Sequence, residues 1–321
     1  MKSIQWPGHL LGGGRPSGDE FAAGLHGPDG PSMAQVPGPG QDTLARNPVT
    51  GTQELPPARA MSRSWAMCFR PQAAATLRVF CFHHAGGGAS SYRPWAAELP
   101  AWLELCAIQL PGREGRLREK PYRNLEDLVT VLAGVIEPLL DRPFAFFGHS
   151  LGAILAFEVA RALQRKGSRS PVHLFVSGRR APSRPDPDPA MSHLPEKAFV
   201  SEMRRRWDGI PAAVLSEPEL LQLLLPTLRA DIALVENYVY VPGSPLECPI
   251  SCFGGTEDPS LRETDLGPWR LQTRGAFSQH MFPGGHFFIQ SSRERVLAAV
   301  KHALQAGIDR PGTAGEPDRF R

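Results

Sequence analysis

The stretch Phe144-Ala145-Phe146-Phe147-Gly148-His149-Ser150-Leu151-Gly152-Ala153 restricts the fold of this chain more than any other. A short apolar run of strand type leads into Gly-x-Ser-x-Gly, and a helical pattern over residues 151–166 follows, stopping before Gly167. A chain can turn from strand to helix across a single serine only where its neighbours are small. Gly148 and Gly152 supply that, allowing strand and helix to pass closely while Ser150 presents its hydroxyl above a sheet. A glycine-flanked serine in a merely structural turn is the alternative, and partners elsewhere in the chain decide between the two.

The surrounding pattern supplies the sheet. Leu77–Phe82, Leu103–Leu110, Phe144–Phe147, Val172–Ser177, Pro249–Phe253 and Phe277–Phe282 are short apolar runs rich in Val, Ile and Phe, and read as buried strands. Between them, Leu125, Leu128, Leu132, Val135, Ile136 and Leu139 fall on one helical face, with Asn124 as N-cap and Glu126 and Asp127 in the first turn. Ser291-x-x-Glu294 reads as a capping box opening a last helix over Val296–Leu304. The alternation β-α-β-α predicts an α/β fold with a mainly parallel sheet and helices on both faces. No repeat of 20–50 residues is present, which excludes a solenoid.

One region breaks the alternation. From about Pro185 to Tyr240 the helical patterns Glu196–Arg206, Glu217–Leu225 and Thr227–Tyr240 follow one another without a strand. An insertion over the carboxyl ends of parallel strands lies above the crevice where such sheets bind ligands, so residues 185–240 are expected to form a helical lid. At the ends, residues 1–64 and 307–321 are expected to be disordered. The first 60 residues hold 11 glycines and 9 prolines without hydrophobic periodicity, too little apolar surface to offset ordering. That leaves 65–306 as the folded domain.

Charge and cysteine content narrow the function classes. A net charge of +3 from 35 basic and 32 acidic residues does not suggest a nucleic-acid binder or a polybasic membrane protein. No apolar run reaches the roughly 18 residues of a membrane span. The first residues lack a secretory apolar core, so a cytoplasmic location is expected. Cys68, Cys81, Cys106, Cys248 and Cys252 are odd in number and mostly sit in apolar runs; they read as reduced, packed thiols. They present no Cys-x-x-Cys pair, so a structural zinc is not expected, and the serine chemistry set out below needs neither a metal nor an organic cofactor.

A serine hydroxyl is a weak nucleophile at neutral pH and needs a base that is itself oriented by an acid. Of ten histidines, His286 is the best placed, on the glycine turn Pro283-Gly284-Gly285 after the last strand. His9 and His26 fall in the N-terminal segment. His173, His193 and His302 read as solvated or structural, and His149, inside the elbow, is expected to point away from Ser150. Asp258, in Gly254-Gly255-Thr256-Glu257-Asp258-Pro259 after a strand, is the acid of choice, with Glu257 and Asp265 as alternatives. A different acid position, at the end of the strand after the elbow helix, holds Ser177-Gly178 and offers no carboxylate. The developing oxyanion requires backbone donors. Leu151, after the nucleophile, supplies one; the second should come from His83-His84-Ala85-Gly86-Gly87-Gly88 after the first strand. A phosphate loop is excluded there, because no Gly-x-x-x-x-Gly-Lys-Ser/Thr follows.

Taken in order, His84-Ala85-Gly86-Gly87, Gln109-Leu110-Pro111-Gly112-Arg113-Glu114, Gly148-His149-Ser150-Leu151-Gly152, Leu225-Pro226-Thr227-Leu228-Arg229-Ala230-Asp231, Gly254-Gly255-x-x-Asp258 and Gly284-Gly285-His286-Phe287 resemble the type II thioesterases of the α/β-hydrolase superfamily. These are discrete partners of polyketide and nonribosomal peptide synthetases. The resemblance covers about Trp65 to Ala306; Leu261 stands where the family usually has a β-branched residue. It implies a Ser150, Asp258, His286 triad with an oxyanion hole from the Ala85 and Leu151 N–H groups. It also implies hydrolysis of acyl thioesters from the phosphopantetheine arm of an acyl or peptidyl carrier protein, clearing aberrant acyl groups. Thioesterase domains fused to a synthetase typically carry their acid where this chain has Ser177, so the discrete type is favoured.

The expected enzyme is a monomer. Arg179-Arg180 and Arg204-Arg205-Arg206 are candidates for docking an acidic carrier protein. Three rivals remain at this stage: a general esterase or lipase with the same triad, a hydrolase fold kept as a non-catalytic binding protein, and a cyclising acyltransferase that excludes water.

Overall fold

The computed structural model describes residues 64–308. The extensions expected over 1–64 and 307–321 lie outside the described residues, apart from residue 64 and the last two residues of the final helix. Among the described residues there are seven strands: β1 (Ala66–Met67), β2 (Leu77–Phe82), β3 (Leu103–Ile108), β4 (Phe144–His149), β5 (His173–Ser177), β6 (Ile250–Gly255) and β7 (Phe277–Phe282). They form one sheet in the order β1-β3-β2-β4-β5-β6-β7, parallel throughout except for β1, which runs antiparallel to β3. Each of the six expected strands is found. The two-residue β1 carries too little pattern to be read from sequence.

Strands β2 to β6 are buried along their whole length, as a parallel sheet covered on both faces requires. Successive side chains alternate between the faces. Phe80, Phe82 and Phe146 join one core with helices α2 (Leu125–Ile136) and α3 (Leu151–Arg165). Val79, Cys81, Phe147 and Phe175 join the other with α1 (Arg93–Glu98) and the carboxyl-terminal helix. Helix α2 begins as the sequence predicts, the Asp127 N–H donating to Asn124 Oδ1 at 3.0 Å.

Between β5 and β6 the chain forms α4 (Glu196–Trp207), α5 (Ala212–Leu215) and α6 (Pro218–Glu236), which share a separate core of Met191, Phe199, Met203, Leu225, Leu228 and Ile232. Two helices expected on either side of Pro226 are one. Pro226 lies on the exposed face of α6, where water can take the carbonyl its missing N–H leaves unbonded. The chain ends in a single turn, α7 (Phe288–Ser291), and α8 (Arg293–Ile308). The capping box expected at Ser291 is not used: Ser291 closes α7, and Ser292 Oγ donates to the Pro283 carbonyl.

The cysteine expectation is also corrected. Cys81, Cys248 and Cys252 are buried free thiols, whereas Cys68 and Cys106 form a disulfide. The register explains it: Met67 lies opposite Ala107, so the next residue along β1 faces Cys106. Among the described residues, no helix is long and apolar enough to cross a membrane.

Candidate active site

The elbow forms as the sequence requires. Ser150 sits between β4 and α3 with φ 57° and ψ −115°, a conformation a non-glycine residue adopts only where the surroundings impose it. Its N–H donates to the Ser177 carbonyl at 2.8 Å, tying the turn to the end of β5. A Cβ on Gly148 would collide with the Gly152 backbone, and one on Gly152 with the Phe82 carbonyl, so both glycines are demanded by close passage of strand and helix.

His286 and Asp258 are brought together from the loops after β7 and β6. His286 Nδ1 donates to Asp258 Oδ2 at 2.7 Å, with both side chains almost fully buried. The two loops are stitched by Thr256 N–H to Phe282 O and Glu257 N–H to Gly284 O. The other Asp258 oxygen accepts from the Ser260 N–H at 2.9 Å and the Ser260 hydroxyl at 2.7 Å. Burial alone would raise the Asp258 carboxyl. The His286 hydrogen bond and charge, with the two Ser260 bonds, outweigh it and hold the group below its ordinary value. The alternatives Glu257 and Asp265 do not take this place: Asp265 accepts from the Arg262 N–H instead.

Ser150 and His286 line one cavity of about 40 Å³, together with His84, Ala85, Trp207 and Leu261. The turn His84-Ala85-Gly86-Gly87 closes through the Gly87 N–H to the His84 carbonyl at 3.0 Å. Gly86 has φ 74° while Ala85 does not share the positive sign, which defines a type II turn with glycine at its third position. Leu151 is the first residue of α3, where backbone N–H groups have no intrahelical acceptor.

Several residues near the site were not legible beforehand. The buried ring of His149 packs against that of His286 with centroids 5.1 Å apart, and its Nδ1 lies 3.0 Å from Ser177 Oγ. Burial, reinforced by the charges of His286 and His84, pushes the His149 imidazole well below its ordinary value. Burial likewise drives His84 down to about 3. The arginine patch is largely engaged elsewhere. Arg206 is buried against Glu202 and the Pro189 carbonyl, Arg205 pairs with Glu202 and Asp188, and Arg179 faces Asp186 at the cavity wall. Arg204 is exposed.

An imidazole fixed by a carboxylate and opening on the same cavity as a serine in a strained strand-to-helix turn is the equipment of a serine hydrolase. The parallel sheet that carries it makes this one of the α/β-hydrolase fold. The family described as Thioesterase domain matches residues 77–304, and the chain belongs to it. It is 44% identical to the gramicidin S biosynthesis protein GrsT of Aneurinibacillus migulanus, over 73% of this chain and 91% of that one. It is 35% identical to thioesterase PikA5 of Streptomyces venezuelae, over 82% and 91% of the two chains. Among solved structures, the type II thioesterase BorB from the borrelidin biosynthetic cluster superposes with a TM-score of 0.69 at 36% identity, covering 75% of this chain and 97% of that one.

Proposed function

We propose that this enzyme hydrolyses acyl thioesters held on the phosphopantetheine arm of an acyl or peptidyl carrier protein, clearing stalled acyl groups from a polyketide or nonribosomal peptide synthetase. In this reading it acts as a cytoplasmic monomer, Ser150, His286 and Asp258 are the triad, and the N–H groups of Ala85 and Leu151 are the oxyanion hole. The carrying observation is the buried His286–Asp258 pair, 2.7 Å apart, whose histidine lines the same cavity as Ser150. The similarity to type II thioesterases of biosynthetic clusters supports the substrate class.

The chemistry follows from the arrangement. His286 takes the proton of Ser150 as its oxygen attacks the thioester carbonyl, while Asp258 fixes the ring and stabilises the imidazolium that forms. The tetrahedral oxyanion is met by the two backbone donors. Collapse breaks the carbon–sulfur bond, and the departing pantetheine thiolate takes the proton from His286. Water then attacks the acyl-serine, passing its proton through the same histidine, and the second collapse releases the acid and restores Ser150.

Helices α4 to α6 act as a lid in this reading. A cavity of about 40 Å³ is far below the several hundred Å³ of typical ligand sites, so it accepts only a short acyl group without movement of the helices. The test is release of acetyl and propionyl groups from a loaded carrier protein by the wild type and Ser150→Ala, with a p-nitrophenyl ester in parallel. Ser150-dependent release that is faster from the carrier protein supports the proposal. Turnover of the free ester alone moves the enzyme to a general esterase, and turnover of neither leaves a binding protein.

A further inference from the structure

Helix α6 reaches into the turn that carries Ala85 through a single buried carboxylate. Asp231, 1% exposed, accepts the Gly86 N–H on Oδ2 at 2.8 Å. The same carboxylate is clamped by Arg113, with Nη1 to Oδ2 at 2.6 Å and Nη2 to Oδ1 at 2.8 Å. Arg113 is buried too, and its Nη1 also donates to the Gly87 carbonyl at 3.1 Å while Nε and Nη2 hold the Pro111 carbonyl at 3.2 Å. One face of α6 completes the contact. Leu228 lies where a Cβ on Gly86 would come within 2.8 Å, and Thr227 Oγ1 donates to the Gly112 carbonyl at 2.7 Å.

The consequence is geometric. In the turn His84–Gly87, the Gly87 N–H closes the turn and the Gly86 N–H goes to Asp231, so the Ala85 N–H takes part in neither bond. The orientation of that third donor is set by the peptides on either side of it. A charged acceptor in a dry site fixes a peptide more firmly than a neutral one, and Arg113 satisfies the remaining lone pairs that would otherwise make a buried carboxylate costly.

We propose that Asp231, held by Arg113, is a positioning residue for the oxyanion hole: it aims the Ala85 N–H by anchoring the Gly86 peptide to α6. The inference rests on the reading of Ala85 as an oxyanion donor. It makes the hole complete only while α6 is docked on the β2 turn, so the helices over the cavity control the electrostatics of the reaction as well as access.

The test compares Asp231→Asn, the apolar pair Arg113→Met/Asp231→Leu and Ala85→Pro with the wild type, each at a temperature where circular dichroism shows it folded. The apolar pair leaves no buried charge and is read alone where Asp231→Asn does not fold. Ala85→Pro removes the donor itself at the turn position proline favours. The readouts are kcat and KM on propionyl-pantetheine, and inhibition by butylboronic acid, whose serine adduct places an oxygen in the hole. Ala85→Pro should lose roughly 100- to 1,000-fold in kcat, the cost of one oxyanion donor. The Asp231 variants, with the donor present but misaimed, should lose about 10- to 100-fold in kcat and a similar factor in boronate affinity, with KM within about threefold. Folded Asp231 variants with wild-type kcat, or with only KM changed, beside an impaired Ala85→Pro, overturn this inference alone. Wild-type turnover by Ala85→Pro overturns the oxyanion reading beneath it.

Discussion

Ser177 Oγ lies 3.0 Å from His149 Nδ1 at the end of β5, so the strand end that could hold an alternative acid serves the elbow histidine and not His286. His286 takes its carboxylate from Asp258 after β6 instead. Asp258→Asn should therefore lower kcat by roughly 10,000-fold, as expected when a base loses the acid that fixes its tautomer. Adding Ser177→Asp should not restore it, because the new carboxylate would meet His149 first. Kinetics of the single and double variants on propionyl-pantetheine decide the matter: recovery of tenfold or more in the double variant would mean that position 177 reaches His286.

The elbow glycines should tolerate nothing larger. Their hypothetical Cβ atoms meet backbone, namely the Gly152 carbonyl and the Phe82 carbonyl, and backbone inside a sheet cannot yield as a side-chain tip can. Gly148→Ala and Gly152→Ala are each expected to cost more than about 4 kcal/mol, in the range reserved for severe core disruption. Urea unfolding of soluble protein measures this. A midpoint within 0.5 M of wild type for either variant would show that the crossing is looser than the geometry indicates.

Much of the architecture could be read because its causes are local. Strands β2 to β7 announce themselves as short apolar runs, Asn124 caps α2 as its side-chain chemistry dictates, and Ser150, Asp258 and His286 stand at strand ends in the expected order. What escaped reading depends on register and on distance along the chain. Cys68 meets Cys106 only because a two-residue strand pairs with β3. Both 109–114 and 225–231 stood out as motifs. That Arg113 of one grips Asp231 of the other, 118 residues away, follows from tertiary packing that no local pattern encodes. Pro226 misled for the opposite reason: a local rule for breaking helices yields where the freed carbonyl faces water.

The Cys68–Cys106 bond joins residues 38 apart at the sheet edge, on the side of β3 away from β2. Closing a loop of that length should stabilise the chain by about 2–4 kcal/mol. Thiol titration in denaturant should find three reactive cysteines in oxidised protein and five after reduction. The urea midpoint should fall on reduction, with turnover of folded protein unchanged because the bond does not touch the cavity. Such bonds are uncommon in reducing compartments, so the same titration on protein isolated under alkylating conditions reports which state the cell maintains. Five thiols in unreduced protein would remove the bond from the native chain.

His173 makes stability pH-dependent at the opposite end of the sheet from the catalytic loops. Its ring stacks on Phe175 at 4.2 Å, its Nε2 lies 2.9 Å from Ser251 Oγ, and burial pushes it down to about 4. The fold thus favours the neutral ring, whereas the unfolded chain takes up a proton near pH 6.5. Its stabilising contribution is complete above that value and is lost as pH falls from 6.5 towards 4, amounting to about 3 kcal/mol across the window. Asp258, held below the ordinary carboxylate value, adds a loss of the same sign at lower pH, as the solution falls through its folded-state value. His173→Phe keeps the stack on Phe175 and leaves Ser251 Oγ its contact with Ser278 Oγ at 2.8 Å. Urea midpoints at pH 7.5, 6.0 and 5.0 should fall steeply in the wild type and less steeply in the variant. Parallel slopes in the two proteins would mean that His173 is protonated in the fold and that its burial carries no such linkage.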